Sequence, residues 1–259
     1  MTRSSINKII VSGCSFTNWP WSKQKTWAQY IEDTVPKGIS VVNIGRPGNS
    51  NEFIIPEVIQ EASKSDDNCL VLVQLTGLDR VSVNGEMSPT VGSILKSLSM
   101  NWFGMSQNEG ASAGWKNYFL NEYSEEKHFN KLLNLILELQ TALTKRNIDY
   151  RIMLGWDVLT QKGESYMWDT KKRYHNKNDK MLKDKYSSSM ILWDKINWNK
   201  FWFFENEKIK YGGISQWVQY NLEPKEWYNN LLHEDRHPSP KAHKDFAEKV
   251  VNKLIEEML

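Results

Sequence analysis

Cysteine is scarce in this chain of 259 residues: Cys14 and Cys69 are the only two. They are too few for a disulfide framework. Each stands at an end of an apolar run, and the two runs are expected side by side in one sheet, so both read as buried, reduced thiols. No apolar run approaches the ~20 residues that a membrane span needs. Residues 1–7 are polar and lead straight toward the first apolar run, without the apolar core of a secretion signal. The expected setting is cytoplasmic, or a virion. Net charge is also small, 33 basic against 31 acidic residues for +2, which gives no global attraction to nucleic acid or anionic membrane. Internal repeats and low-complexity tracts are lacking.

One count is high. Twelve tryptophans, many outside the expected strands and long helices, suit either a binding cleft or the packing of insertions onto a core. The chain is long enough to bury a sizeable core, and it reads as a single α/β domain over 1–259.

The β-branched run 9–11 is cut by Gly13 and followed by Ser15 and Thr17, the pattern of a buried strand that ends in a tight turn and presents a serine. Ser22 is a candidate N-cap for a helix carrying Trp27, Tyr30 and Ile31 on one face. A second strand at 39–44 stops at Gly45, Pro47 and Gly48. Ser50 or Asn51 can cap the next helix, with Pro56 in its first turn or kinking it. The run 69–75 is the most continuous apolar strand, suited to the centre of a parallel sheet. This alternation predicts right-handed βαβ units in a doubly wound sheet. Ser15, Gly48 and the segment 76–80 all fall just past strand ends, where such sheets collect reacting groups.

Residues 81–121 lose the pattern and read as a long loop near that face. A clear helix follows at 125–146, then a fourth strand at 149–155. Residues 156–230 form an insertion, basic in its first part (Lys171 to Lys177, continuing to Lys185) and aromatic in its second (193–204 and 217–227). Basic next to aromatic is compatible with single-stranded nucleic acid, but a solvated charged helix beside a packed cap explains the same residues and is preferred. A terminal helix is expected over 240–258. His128 and His175 read as surface residues, and His243 as structural.

The segment His233-Glu234-Asp235-Arg236-His237 matches the letters of a His-Glu-x-x-His zinc motif. That motif needs both imidazoles on one helical face, and Pro238 pushes His237 out of helical geometry. No metal and no cofactor is expected. The same prolines suit a loop that starts the terminal helix, with Ser239 as N-cap and Pro240 in the first turn. That leaves His237 free to take a proton from Ser15, with Glu234 or Asp235 to hold the other ring nitrogen.

Four ordered blocks carry a resemblance: Gly13-Cys14-Ser15-Phe16, Asn43-Ile44-Gly45-Arg46-Pro47-Gly48, Thr76-Gly77-Leu78-Asp79, and Glu234-Asp235-Arg236-His237-Pro238. Together they resemble the SGNH (GDSL-like) hydrolases, most of all the diverged forms that open with Gly-Cys-Ser-Phe-Thr, often of phage origin. The resemblance implies a flavodoxin-like α/β/α sandwich with a mostly parallel sheet, here with a Trp-rich inserted cap. It implies ester hydrolysis or acyl transfer without metal, on a small-molecule or glycan ester. Ser15 matches the nucleophile and an oxyanion donor through its backbone N–H, Gly48 a second backbone donor, and His237 the base.

Two positions depart from the family pattern. Glu234 stands where an aspartate is usual, with Asp235 beside it. Asp79 stands where an asparagine usually donates to the oxyanion, and Arg80, Asn49 or Asn51 are the candidates to replace it, Arg80 being preferred. Asn49, Asn51 and Asp79 are also candidate substrate contacts. The competing reading is a binding protein for a glycan or protein partner on the same scaffold. An acyltransferase would share the site.

Overall fold

The computed structural model describes residues 6–19, 24–65, 68–78, 80–83, 86–87, 117–160, 181–207, 209–227 and 237–259. In chain order the main elements are β1 (Lys8–Ser12), α1 (Trp27–Glu32), β2 (Ser40–Asn43), α2 (Asn51–Lys64), β3 (Cys69–Leu75) and a small hairpin of β4 (Ser82–Val83) with β5 (Glu86–Met87). They continue with α3 (Glu125–Lys145), β6 (Asp149–Leu154), α4 (Leu182–Lys185), α5 (Met190–Trp193), β7 (Phe201–Trp202), α6 (Ile214–Asn221), α7 (Pro240–Phe246) and α8 (Asn252–Met258). A π-helical turn, Ala247–Val251, joins the last two.

The main sheet has the order β2-β1-β3-β6-β7 and every pairing is parallel. This is the flavodoxin-like order, with its topological switch point between β1 and β3. Side chains alternate across each strand, and two cores result. Ile10, Val71, Val73, Leu75 and Ile152 point to the face covered by α2 and α3. Ile9, Val11, Leu70, Leu72 and Met153 point to the other, covered by α1, α6 and the terminal helices. The expected three-layer α/β/α sandwich is therefore present. All seven residues of β3 are buried, as the central strand of a two-faced sheet requires.

Local chemistry explains the boundaries. Thr26 precedes α1 in extended conformation, and its N–H is accepted by Gln29 Oε1. It takes the N-cap place expected of Ser22, which lies outside the described residues. Ser50 precedes α2, and Pro56 sits inside that helix, beyond the first turn. Ser124 caps α3 through its hydroxyl, ahead of Glu125 and Glu126 in the first turn, where negative charge favours a helix.

The described ends of the expected loop 81–121 hold the β4–β5 hairpin and a π-helical turn, Tyr118–Glu122. Most of that loop, and most of the basic stretch 171–185 with His175, lies outside the described residues. The aromatic part of the second insertion is continuous with the body: β7 extends the sheet beyond β6, and Trp193, Trp217 and Trp227 are buried in the two cores. Strand β7 has only two residues, too short to carry a periodicity that a sequence would reveal. Cys14 and Cys69 are both buried and unoxidised. They sit at opposite ends of the paired strands β1 and β3.

Candidate active site

The turn after β1 is built as a tight knot. The Cys14 carbonyl accepts N–H bonds from Thr17 at 2.9 Å and Asn18 at 3.1 Å, leaving Ser15 at the outer bend. Thr17 donates its hydroxyl to Gln74 Oε1 at 2.8 Å, and Gln74 Nε2 contacts Cys14 Sγ at 3.2 Å. Gln74 is fully buried in β3, so the turn is braced from below by a strand side chain. There is no room for a Cβ at Gly13, which would lie 2.3 Å from Thr17 Oγ1.

The β2–α2 loop is fastened onto the same turn. Arg46 N–H donates to the Gly13 carbonyl at 3.0 Å, Asn18 Nδ2 to the Gly45 carbonyl at 2.8 Å, and Asn43 Nδ2 to the Thr17 carbonyl at 2.9 Å. Gly48 occupies this loop with φ +76°, a left-handed conformation that glycine adopts without a Cβ penalty.

His237 reaches the turn from the far end of the chain. Ser239 accepts the Ala242 N–H as N-cap of α7, with Pro240 at the first turn, so His237 lies before the helix and not on it. Its Nε2 is 2.6 Å from Ser15 Oγ. The imidazole packs against Trp19, centroids 3.8 Å apart, and edge-on to Phe16 at 5.6 Å. Two aromatic side chains thus hold a ring that is 222 residues from its partner.

The other expected residues divide clearly. Asn51 is not available as a free donor: its Nδ2 donates to the Thr76 carbonyl at 2.7 Å and its Oδ1 accepts the Thr76 N–H at 2.8 Å. That pair ties the start of α2 to the end of β3. Asn49 is 1% exposed, and its Nδ2 has no hydrogen-bond partner among the described residues. Arg80 lies over the Trp156 ring at 5.2 Å and lines a cleft with Glu52, His128 and Lys131. Asp79, His233, Glu234 and Asp235 are outside the described residues. Gln74 and Phe16 stand within stretches that the sequence marks for the site, but with Trp19 they have no role of their own there. A glutamine inside the apolar run of β3 was the one visible signal.

His243 is structural, as expected. It is buried on α7 and its Nδ1 accepts the Trp27 backbone N–H at 3.3 Å. Burial drives its pKa down to about 3, and neighbouring His237 pushes it the same way. His128 departs from expectation. It is half-buried, with Tyr118 Oη 2.8 Å from its Nε2 and Tyr123 stacked on its ring at 4.8 Å. Burial lowers its pKa, against the opposing pull of Glu52. The helical stripe of α3 hid this, because the aromatic partners come from the irregular segment before it.

Among solved structures the chain is similar over 98% of its length to the protein YXIM of Bacillus subtilis, with a TM-score of 0.51 and 14% identity. It spans 58% of that protein's chain. The likeness is one of architecture, a three-layer α/β/α sandwich with a 2-1-3 core in its parallel sheet. This is the architecture that the resemblance to SGNH/GDSL-like hydrolases implied. Two further structures are similar at lower TM-scores. The lipase Lip_vut3 from a goat rumen metagenome matches at 14% identity and TM-score 0.45, covering 95% of this chain and 96% of its own. The esterase EstA from a Pseudoalteromonas species matches at 14% and 0.46, covering 96% and 99%. No protein-family model matches the chain, and no curated protein matches it. At such identity the likeness conveys architecture and leaves activity to be argued from the site.

Proposed function

We propose that the protein is a serine esterase that acts on an ester or O-acyl group without a metal. The observation that carries this is the 2.6 Å contact between Ser15 Oγ and His237 Nε2, the nucleophile–base relationship that acyl transfer needs. His237 removes the hydroxyl proton as Ser15 Oγ attacks the substrate carbonyl. The tetrahedral intermediate collapses, and the imidazolium returns the proton to the departing alcohol. Water, deprotonated by His237, then attacks the acyl-serine and releases the acid. Glu234 or Asp235 orients the imidazole.

The oxyanion requires donors fixed before the reaction. In this reading the backbone N–H groups of Ser15 and Gly48 supply two of them. For the third we assign Asn49 Nδ2. Asn51 is committed to Thr76, and Arg80 is stacked on Trp156. A buried amide N–H without a partner costs free energy, and an oxyanion offers it one. The loop that carries Asn49 is hydrogen-bonded to the nucleophile turn through Arg46 and Gly45.

The test is active-site labelling. A fluorophosphonate probe is expected to label the wild-type chain at Ser15 alone, and hydrolysis of p-nitrophenyl acetate is expected to fall by about 10⁴-fold or more in Ser15→Ala. Hydrolysis that survives Ser15→Ala would overturn the assignment.

A further inference from the structure

A cleft between α2, α3 and the segment after β3 has an unbalanced charge. Its walls include Glu52 at the start of α2, Leu78 and Arg80 after β3, and His128 and Lys131 on α3. Lys131 Nζ lies 2.6 Å from the Glu52 carboxylate, so those two charges offset one another. His128 is engaged with Tyr118 and Tyr123 and is favoured in its neutral form by burial. Arg80 is what remains. Among the described residues no carboxylate pairs with it, and its Nη1 is buried with no hydrogen-bond partner.

A guanidinium held in that way is costly. Trp156 lies against the guanidinium, its ring centroid 5.2 Å from Cζ, and Arg80 forms part of the cleft wall. Guanidinium edges match carboxylate and phosphate oxygens in bidentate geometry. The position is also suited to a substrate contact. Trp156 packs edge-on against Phe16 at 5.9 Å, and Phe16 in turn against His237. Asn51, on the cleft wall, is clamped to Thr76 at the end of β3. Arg80 is therefore separated from the base by two aromatic rings, a spacing that addresses a part of the substrate remote from the scissile bond.

We propose that Arg80 anchors an anionic group, a carboxylate or a phosphate, on the ester that this site takes. The preferred substrate class is then an acidic ester, with Leu78 lining the path of the spacer. This inference rests on the esterase reading, but the anion site can be tested apart from it.

The experiment compares p-nitrophenyl butyrate with the mono-p-nitrophenyl ester of glutaric acid, in wild type, Arg80→Leu and Arg80→Lys. The ratio of kcat/KM for the acidic over the neutral ester is expected to exceed one in wild type. It should fall by about tenfold or more in Arg80→Leu, mainly through KM, and recover in part in Arg80→Lys. In parallel, glutarate and inorganic phosphate are added separately to the intact chain and its thermal transition is followed. Whichever anion raises Tm in wild type and not in Arg80→Leu identifies the group. A ratio and a Tm response both unchanged in Arg80→Leu would overturn the anion anchor while leaving the esterase standing. Failure of fluorophosphonate to label Ser15, with an Arg80-dependent Tm response retained, would overturn the esterase and uphold the anion site.

Discussion

Thr17 gives its hydroxyl hydrogen to Gln74 across 2.8 Å, joining the Ser15 turn to the middle strand of the sheet. With the Gln74–Cys14 contact and the bond from Thr17 N–H to the Cys14 carbonyl, this braces the turn on both sides of Ser15. Thr17 also accepts the Asn43 amide and the Thr26 hydroxyl on its carbonyl. One threonine thus gathers the turn, the second strand and the start of α1.

Replacement Gln74→Leu keeps the volume and removes both contacts. The expected cost is about 1–3 kcal/mol, because the buried Thr17 hydroxyl loses its acceptor. If Gln74 positions the serine, kcat should fall about 10- to 100-fold with little change in KM. Denaturant unfolding and steady-state kinetics on one ester check both. A stability loss with full kcat would limit Gln74 to packing.

Asn49 and Asn51 should behave oppositely. Asn51→Ala removes two hydrogen bonds to the Thr76 backbone and is expected to destabilise by about 2 kcal/mol or more. Asn49→Leu removes a donor that has no internal partner, so stability should hold or rise, whereas kcat falls about 10²- to 10³-fold if its amide serves the oxyanion. Thermal melts alongside rates separate the two, and an Asn49→Leu protein with wild-type kcat would remove it from the hole.

Gly13→Ala tests the closeness of the turn. The added methyl would meet Thr17 Oγ1 at 2.3 Å and Gln74 Cβ at 2.9 Å, and overpacking of this kind costs about 1–3 kcal/mol. Fluorophosphonate labelling of Ser15 should slow at the same time. Gly38→Ala is a comparison of a different kind, since a Cβ there meets nothing within 4 Å and its penalty arises from φ alone.

His243 makes stability depend on pH. Its folded pKa is about 3 against an ordinary 6.5, so between those values the unfolded chain holds a proton that the folded chain refuses. Its share of stability is complete above pH 6.5 and declines as pH falls toward 3, by about 1.4 kcal/mol per unit. His243→Phe should flatten that slope in unfolding measured from pH 7 to 4. An unchanged slope would place the acid sensitivity elsewhere.

Much of this architecture was legible because it rests on short-range rules. The β-branched runs ending at Val11, Asn43, Leu75 and Leu154 marked four strands, and the spacing between them required parallel pairing. Ser239 and Pro240 announced the start of α7 and so put His237 in a loop. What escaped had no local period. Strand β7 is two residues long, and its place in the sheet comes from tertiary pairing with Ile152 and Met153. Asn51 looked like a free amide, since nothing near it in sequence reveals that Thr76 will use both its groups. His128 read as exposed because its burial is supplied by Tyr118 and Tyr123.

The lateness of His237 in the chain sets the timing of chemistry. A nascent polypeptide completes β1, β2 and β3, and with them the serine turn and its glutamine support, long before the imidazole is synthesised. Until α7 and the π-helical turn after it dock against α1, the hydroxyl lacks the proton acceptor that the proposed reaction needs. In the proposed esterase, turnover is thus a signal that the last two helices have found their place, and a cut between Trp227 and Pro240 that frees them is expected to abolish turnover while leaving Ser15 in its turn.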